Sequence, residues 1–89
     1  MTRHKPPKVE QQKEDLLDLD SAIKWRSKAL SLEQQMDWDG LKSHSVQWKK
    51  VLPRDANAWN SLGKAYYKSG QFDKAIDVTG HAIMYQKWE

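Results

Sequence analysis

Residues 56–89 read ANAWNSLGKAYYKSGQFDKAIDVTGHAIMYQKWE, and this stretch decides the fold. Its large apolar residues Trp59, Leu62 and Tyr66 are three and four residues apart, which places them on one face of an α-helix. Gly70 then marks a helix end, because glycine readily adopts the left-handed conformation common there. A second run of helical spacing follows the glycine. The stretch therefore predicts a helix, a turn and a second helix.

The same arrangement occurs 34 residues earlier in the chain, so that Trp25 corresponds to Trp59. The pairs that superpose are Ala22 and Ala56, Trp25 and Trp59, Ala29 and Gly63, Leu32 and Tyr66, Trp38 and Phe72, and Leu41 and Ala75. Pro53 ends the helix before the second unit, because proline interrupts helical hydrogen bonding. We therefore expect two units, 22–55 and 56–89, and four helices in which short turns make neighbours antiparallel.

Residues 56–89 resemble a tetratricopeptide repeat, a family whose pattern is W-x2-L-G-x2-Y followed by a glycine, an aromatic residue and two alanines. The matching residues are Trp59, Leu62, Gly63, Tyr66, Gly70, Phe72, Ala75 and Ala82. The small residues allow two helices to approach closely, and the large ones fill the remaining space. The resemblance implies an all-α fold, a stack of antiparallel helix pairs.

The first unit, 22–55, matches this pattern less well. Lys28 stands where a leucine is expected, Met36 where the turn glycine is and Trp48 where a small alanine is. Trp48 predicts either a wider helix pair or a ring that is turned outward. The tryptophans that fit the pattern, and that we expect in the core, are Trp25, Trp38 and Trp59. Trp48 and Trp88 break the pattern and are therefore interface candidates.

The N-terminal part divides into two segments by charge. Residues 1–9 are basic and contain Pro6 and Pro7, so we expect a disordered tail. Residues 10–21 are acidic and rich in helix formers, so we expect a helical lead-in to the repeats at 22–89. Within it, residues 16–20 (LLDLD) resemble a clathrin-box peptide, which leaves an adaptor acting through a linear motif as the alternative function.

The resemblance also implies a function, because proteins of this family are non-enzymatic scaffolds that bind partner proteins or peptides on a concave face. That face belongs to the first helix of each pair. It carries Ile23, Arg26, Leu30 and Glu33 in the first unit and Asn57, Asn60, Lys64, Tyr67 and Lys68 in the second. The last helix presents a further apolar surface, with Ile76, Ile83, Tyr85 and Trp88 as candidates for an end-face interface. Such an interface would allow self-association into a homo-oligomer.

Other classes of function have little support in the composition. The chain has no cysteine, and His4, His44 and His81 have no partner at the spacing of a metal site, so we expect no metal, cofactor or catalytic residue. The net charge of +3 keeps a nucleic-acid-binding module as a third function, although lysines alternate with carboxylates. No apolar run approaches a membrane span and no signal peptide is evident, which favours a cytoplasmic protein.

Overall fold

The computed structural model describes the backbone of residues 8–86 and the side chains of residues 19–86. Its helices are α1 (Lys8–Gln34), α2 (Trp38–Val51), α3 (Ala56–Lys68) and α4 (Phe72–Gln86). No strand occurs in this described range, and each helix packs against the next along the chain. The prediction of an all-α stack of helices is therefore confirmed. None of the described helices is both long enough and apolar enough to cross a membrane.

The first helix is much longer than the other three. It begins at Lys8 and continues without interruption through residues 10–21 into the first unit. The last two residues of the expected tail, 1–9, thus belong to α1, and the other seven lie outside the described residues. The division of the chain into a tail, a lead-in and two repeats stays a prediction.

The turn between α1 and α2 has the hydrogen bonds of a Schellman motif. Met36 has a φ of 57°, in the left-handed region, and its backbone N–H donates to the Glu33 carbonyl at 2.9 Å. The backbone N–H of Asp37 donates to the Leu32 carbonyl, also at 2.9 Å. These two bonds satisfy carbonyls that would otherwise lack partners at the end of α1.

The turn between α3 and α4 repeats this geometry at the equivalent place in the second unit. Gly70, the counterpart of Met36, has a φ of 82°, and its N–H donates to the Tyr67 carbonyl at 3.1 Å. The N–H of Gln71 donates to the Tyr66 carbonyl at 2.8 Å. The backbone therefore repeats even where the side chains do not, and the methionine occupies a position that a glycine adopts with less strain.

The centre of the core is Trp48, whose side chain is 0% exposed. It belongs to one cluster with Ala29, Leu32, Leu41, Ala58 and Ala65. Trp25, Trp38 and Trp59 are only partly buried. The prediction that Trp48 lies at an interface is therefore wrong. The prediction that Trp25, Trp38 and Trp59 form the core is correct only in part, because Trp25 and Trp38 pack against the edge of this cluster. Trp88 lies outside the described residues.

The buried ring explains how the first unit tolerates Trp48 in a small-residue position. Helices α1 and α2 approach each other closely at fewer places than α3 and α4, which leaves room for the indole between them. Of the two alternatives for Trp48, the wider helix pair is correct. In the second unit Ala82 takes the same position, and Gly63 lies so close to α4 that an added Cβ would be 2.6 Å from Thr79 Oγ1. The two units thus share the backbone geometry of their turns but differ in how closely their two helices approach each other.

Candidate functional site

A polar groove of about 270 Å3 runs between α1 and α3 and includes most of the residues predicted for the concave face. These residues are Arg26 and Leu30 on α1, and Asn57, Asn60 and Lys64 on α3. Glu33 and Ser61 also line it, and the edge of Trp48 contributes to its floor. Six of the nine residues predicted for the concave face, Glu33 among them, are thus brought together.

An ion pair crosses this groove. The Lys64 ammonium lies 2.8 Å from the Glu33 carboxylate, which joins α3 of the second unit to α1 of the first. The Glu33 side chain is 20% exposed, so the pair is partly sheltered from water. Because each charge has a partner within the protein, the other cations near the groove are better placed to attract an external carboxylate.

The groove continues past Arg26 and Asn57 into a larger apolar cleft of about 570 Å3. The apolar residues that line this cleft are Leu19, Ala22, Ile23, Val51, Leu52 and Pro53. Arg54 and Asp55 lie at its edge. The sequence-based list of binding residues did not include Leu19, Val51 or Pro53. The helical spacing of Leu19, Ile23 and Leu30 could have predicted the α1 side of the cleft. The α2–α3 turn could not have been predicted in this way, because its contribution depends on how the turn folds.

Three hydrogen bonds hold the α2–α3 turn in place as a wall of this cleft. The indole N–H of Trp48 donates to Asp55 Oδ2 at 3.0 Å, and that of Trp59 donates to the Pro53 carbonyl at 2.7 Å. Asp55 also caps α3 by accepting from the Asn57 backbone N–H at 3.0 Å. The buried core and the binding surface are therefore connected through the same turn.

Two residues predicted for the concave groove lie elsewhere. The ring of Tyr67 contacts Phe72 edge to face with centroids 5.4 Å apart, on the side where α3 meets α4. The ammonium of Lys68 lies 5.6 Å from the centre of the Trp38 ring, against the α1–α2 turn. Neither side chain lines the groove between α1 and α3.

The residues predicted for the end-face interface are also divided. Ile76 and Ile83 are exposed and line a depression between α3 and α4. Tyr85 instead packs on Trp59, with ring centroids 5.9 Å apart, and is partly buried. Trp88 lies outside the described residues. The end face is thus formed by the two isoleucines together with Tyr67, which sequence reasoning had assigned to the other surface.

The two histidines in the described range have packing roles. The His44 ring nitrogen Nε2 lies 2.8 Å from the Trp25 carbonyl oxygen, and the His81 ring stacks on Trp59 with centroids 4.6 Å apart. Among residues 19–86 no three His, Asp or Glu side chains are grouped so that they could hold a metal ion.

Comparison with known families agrees with this architecture. The family model for the tetratricopeptide repeat matches residues 56–87, which correspond to α3 and α4. Residues 56–87 are a tetratricopeptide repeat. The turn of this repeat recurs in the preceding helix pair, and the four-helix arrangement together with the match supports a repeat protein of this type. No curated protein and no solved structure gave a significant match. Tetratricopeptide repeats generally act as non-enzymatic scaffolds that bind other proteins.

Proposed function

We propose that this protein is a scaffold that binds a segment of a partner protein in the groove between α1 and α3. The observation that carries the proposal is the continuity of a polar groove and an apolar cleft, which share Arg26 and Asn57. A continuous surface that is polar at one end and apolar at the other suits a peptide, because peptides present backbone amides and side chains of several kinds along their length.

The groove favours a particular peptide chemistry. An apolar side chain suits the cleft formed by Ile23, Val51 and Pro53. A carboxylate next to it suits Arg26, which lies where the cleft and the polar groove meet. The amide of Asn60 can both donate to and accept from the peptide backbone. We therefore propose a ligand in which an apolar residue is followed closely by an acidic one.

The other two functions receive less support. Residues 16–20 lie within the continuous helix α1, whereas a clathrin-box motif is bound as an extended peptide. Nucleic-acid binding through stacked bases requires exposed aromatic platforms. The rings of Trp25 and Trp59 are instead engaged by His44 and His81.

The test begins with peptides selected from a random library against the full-length chain. The affinity of a synthetic peptide from that selection is then measured by fluorescence anisotropy for the chain and for three variants. Arg26→Glu and Ile23→Asp change the two parts of the groove. Lys28→Glu is the matched control, because it makes the same change of charge on an exposed part of α1 outside the groove.

We expect Arg26→Glu and Ile23→Asp each to weaken binding by about tenfold or more, which corresponds to about 1.4 kcal/mol. Lys28→Glu should leave the dissociation constant within about twofold, since exposed charges at a distance are screened. Selection of no peptide, or a peptide bound equally by all variants, would contradict the proposal. Circular dichroism of each variant verifies that the helices are retained.

A further inference from the structure

The depression between α3 and α4 has the shape of a valley that receives a helix. Its volume is about 630 Å3, and its lining is almost wholly apolar. The walls are formed by Tyr67, Phe72, Ile76 and Ile83, and the floor by Gly63, Ala75, Thr79 and Gly80. All four wall residues are more than half exposed. We call this surface the end valley.

The first unit shows which kind of group covers such a valley. Its equivalent surface, between α1 and α2, is covered by α3, which inserts Ala58 and Ala65 into the cluster around Leu41 and Trp48. The covering group is thus a single helix with small side chains on the contact face. The end valley is the same surface one repeat later, so the covered face of the first unit is a template for its occupant.

The floor of the end valley has smaller side chains than its template. At equivalent positions of the two units, Ala75 replaces Leu41 and Gly80 replaces Val46. An added Cβ on Gly80 would meet nothing within 4 Å, so space is open above it. A helix that fills the end valley therefore needs larger residues than alanine at the positions equivalent to 58 and 65.

The edge of the valley on α4 is acidic. Asp73 and Asp77 are exposed and lie one position after Phe72 and Ile76, so at about 100° per residue they flank the valley wall on its outer side. In the template, Tyr66 of the covering helix lines the same depression as Ser43, the counterpart of Asp77. A basic residue at the position equivalent to 66 would therefore lie next to the acidic edge.

A second copy of this chain does not supply a matching helix through the face of α1 that is equivalent to the covering face of α3. The exposed apolar residues on the other side of α1, Leu19, Ile23 and Leu30, line the groove and the cleft. The α1 residues equivalent to Ala58, Leu62 and Ala65 are Lys24, Lys28 and Ser31, and all three are exposed. That face is polar, so a copy cannot extend the stack through α1. Two end valleys placed face to face would both present small floors and enclose a void.

We infer that the end valley binds an amphipathic helix of a different protein. This helix carries bulky apolar residues on its contact face and lysine or arginine on the side that faces Asp73 and Asp77. The surface is separate from the groove between α1 and α3, and the two surfaces share only Lys64 at their edges. The protein would then hold two partners at once, a peptide in the groove and a helix at the end valley.

The test uses a helical probe peptide designed from the template. It has the sequence of residues 55–69 with Ala58→Leu, Ala65→Leu and Tyr66→Lys, stapled to keep it helical. A second peptide retains both alanines, and a third has glutamate in place of the lysine at position 66. Dissociation constants for the full-length chain are measured by fluorescence anisotropy.

Two variants of the chain locate the binding site of the probe. Gly80→Leu adds a bulky side chain in the lining of the valley, at a position where an added Cβ would meet no atom within 4 Å. Ser31→Leu adds the same side chain on the exposed face of α1 and is the matched control. Arg26→Glu, which alters the groove, should not change the affinity of the probe, so the two proposals fail separately.

We expect the leucine peptide to bind at least about tenfold more tightly than the alanine peptide and the glutamate peptide. Gly80→Leu should weaken its binding by about tenfold or more, and Ser31→Leu by less than about twofold. Three results would overturn the inference. These are a probe that does not bind, a probe bound equally by the Gly80→Leu variant, and a dimer in analytical ultracentrifugation that Ile76→Asp dissociates. The last result would assign the valley to a second copy.

Discussion

Replacing Trp48 by alanine removes the largest fully buried side chain described in the protein. Loss of a buried tryptophan costs about 3–5 kcal/mol through lost transfer free energy and the cavity left behind. The change also removes the 3.0 Å hydrogen bond to Asp55, worth about 1 kcal/mol more because water can reach that half-buried carboxylate. We therefore expect a loss of about 4–6 kcal/mol. A chain of this length has a total unfolding free energy of only about 4–13 kcal/mol.

Urea unfolding followed by far-ultraviolet circular dichroism measures this loss without depending on tryptophan fluorescence. Trp48→Phe keeps an aromatic ring but lacks the indole donor, and should cost about 1–2 kcal/mol. Trp25→Ala is the comparison, because the Trp25 ring is only partly buried, with its centroid 4.9 Å from that of the tilted His44 ring. It should cost less than Trp48→Ala. The opposite order, with Trp25 the more important residue, would refute the assignment of Trp48 as the centre of the core.

Three further substitutions test the backbone and the packing, each by urea unfolding. Met36→Gly should stabilise the protein by about 0.5–1 kcal/mol, because it removes a non-glycine residue from the left-handed conformation. Gly70→Ala at the equivalent turn should destabilise the protein by about 1 kcal/mol for the same reason. If both substitutions changed the unfolding free energy in the same direction, the shared turn geometry would be contradicted. Ser45→Ala should stabilise the protein by about 1 kcal/mol, because the Ser45 hydroxyl is buried and has no hydrogen-bond partner among the described residues. A loss of stability would show that the hydroxyl does form a hydrogen bond. Gly80→Ala should add about 1 kcal/mol through helix propensity alone, and a decrease would indicate that the end valley is less open than described.

Much of the fold could be predicted because local spacing and tertiary packing agree in the second unit. The positions of Trp59, Leu62 and Gly70 predicted the limits of α3, and the constant repeat interval predicted the matching helix ends of the first unit. Six of the groove residues followed from the resemblance to the tetratricopeptide repeat, which assigns the concave face to the first helix of each pair. The apolar cleft did not, because it depends on Val51 and Pro53 in a turn whose conformation is set by hydrogen bonds to indoles outside the turn.

The sequence by itself determined that the chain is a helical repeat, since periodicity and turn residues act locally and each helix hairpin needs only its own pattern. Only the tertiary structure decided which tryptophan is buried, where Tyr67 and Lys68 lie, and that the polar groove and the apolar cleft are continuous. The physical reason is that burial depends on the distance between helices. That distance is a property of two facing surfaces, and the spacing of residues within a single helix does not give it.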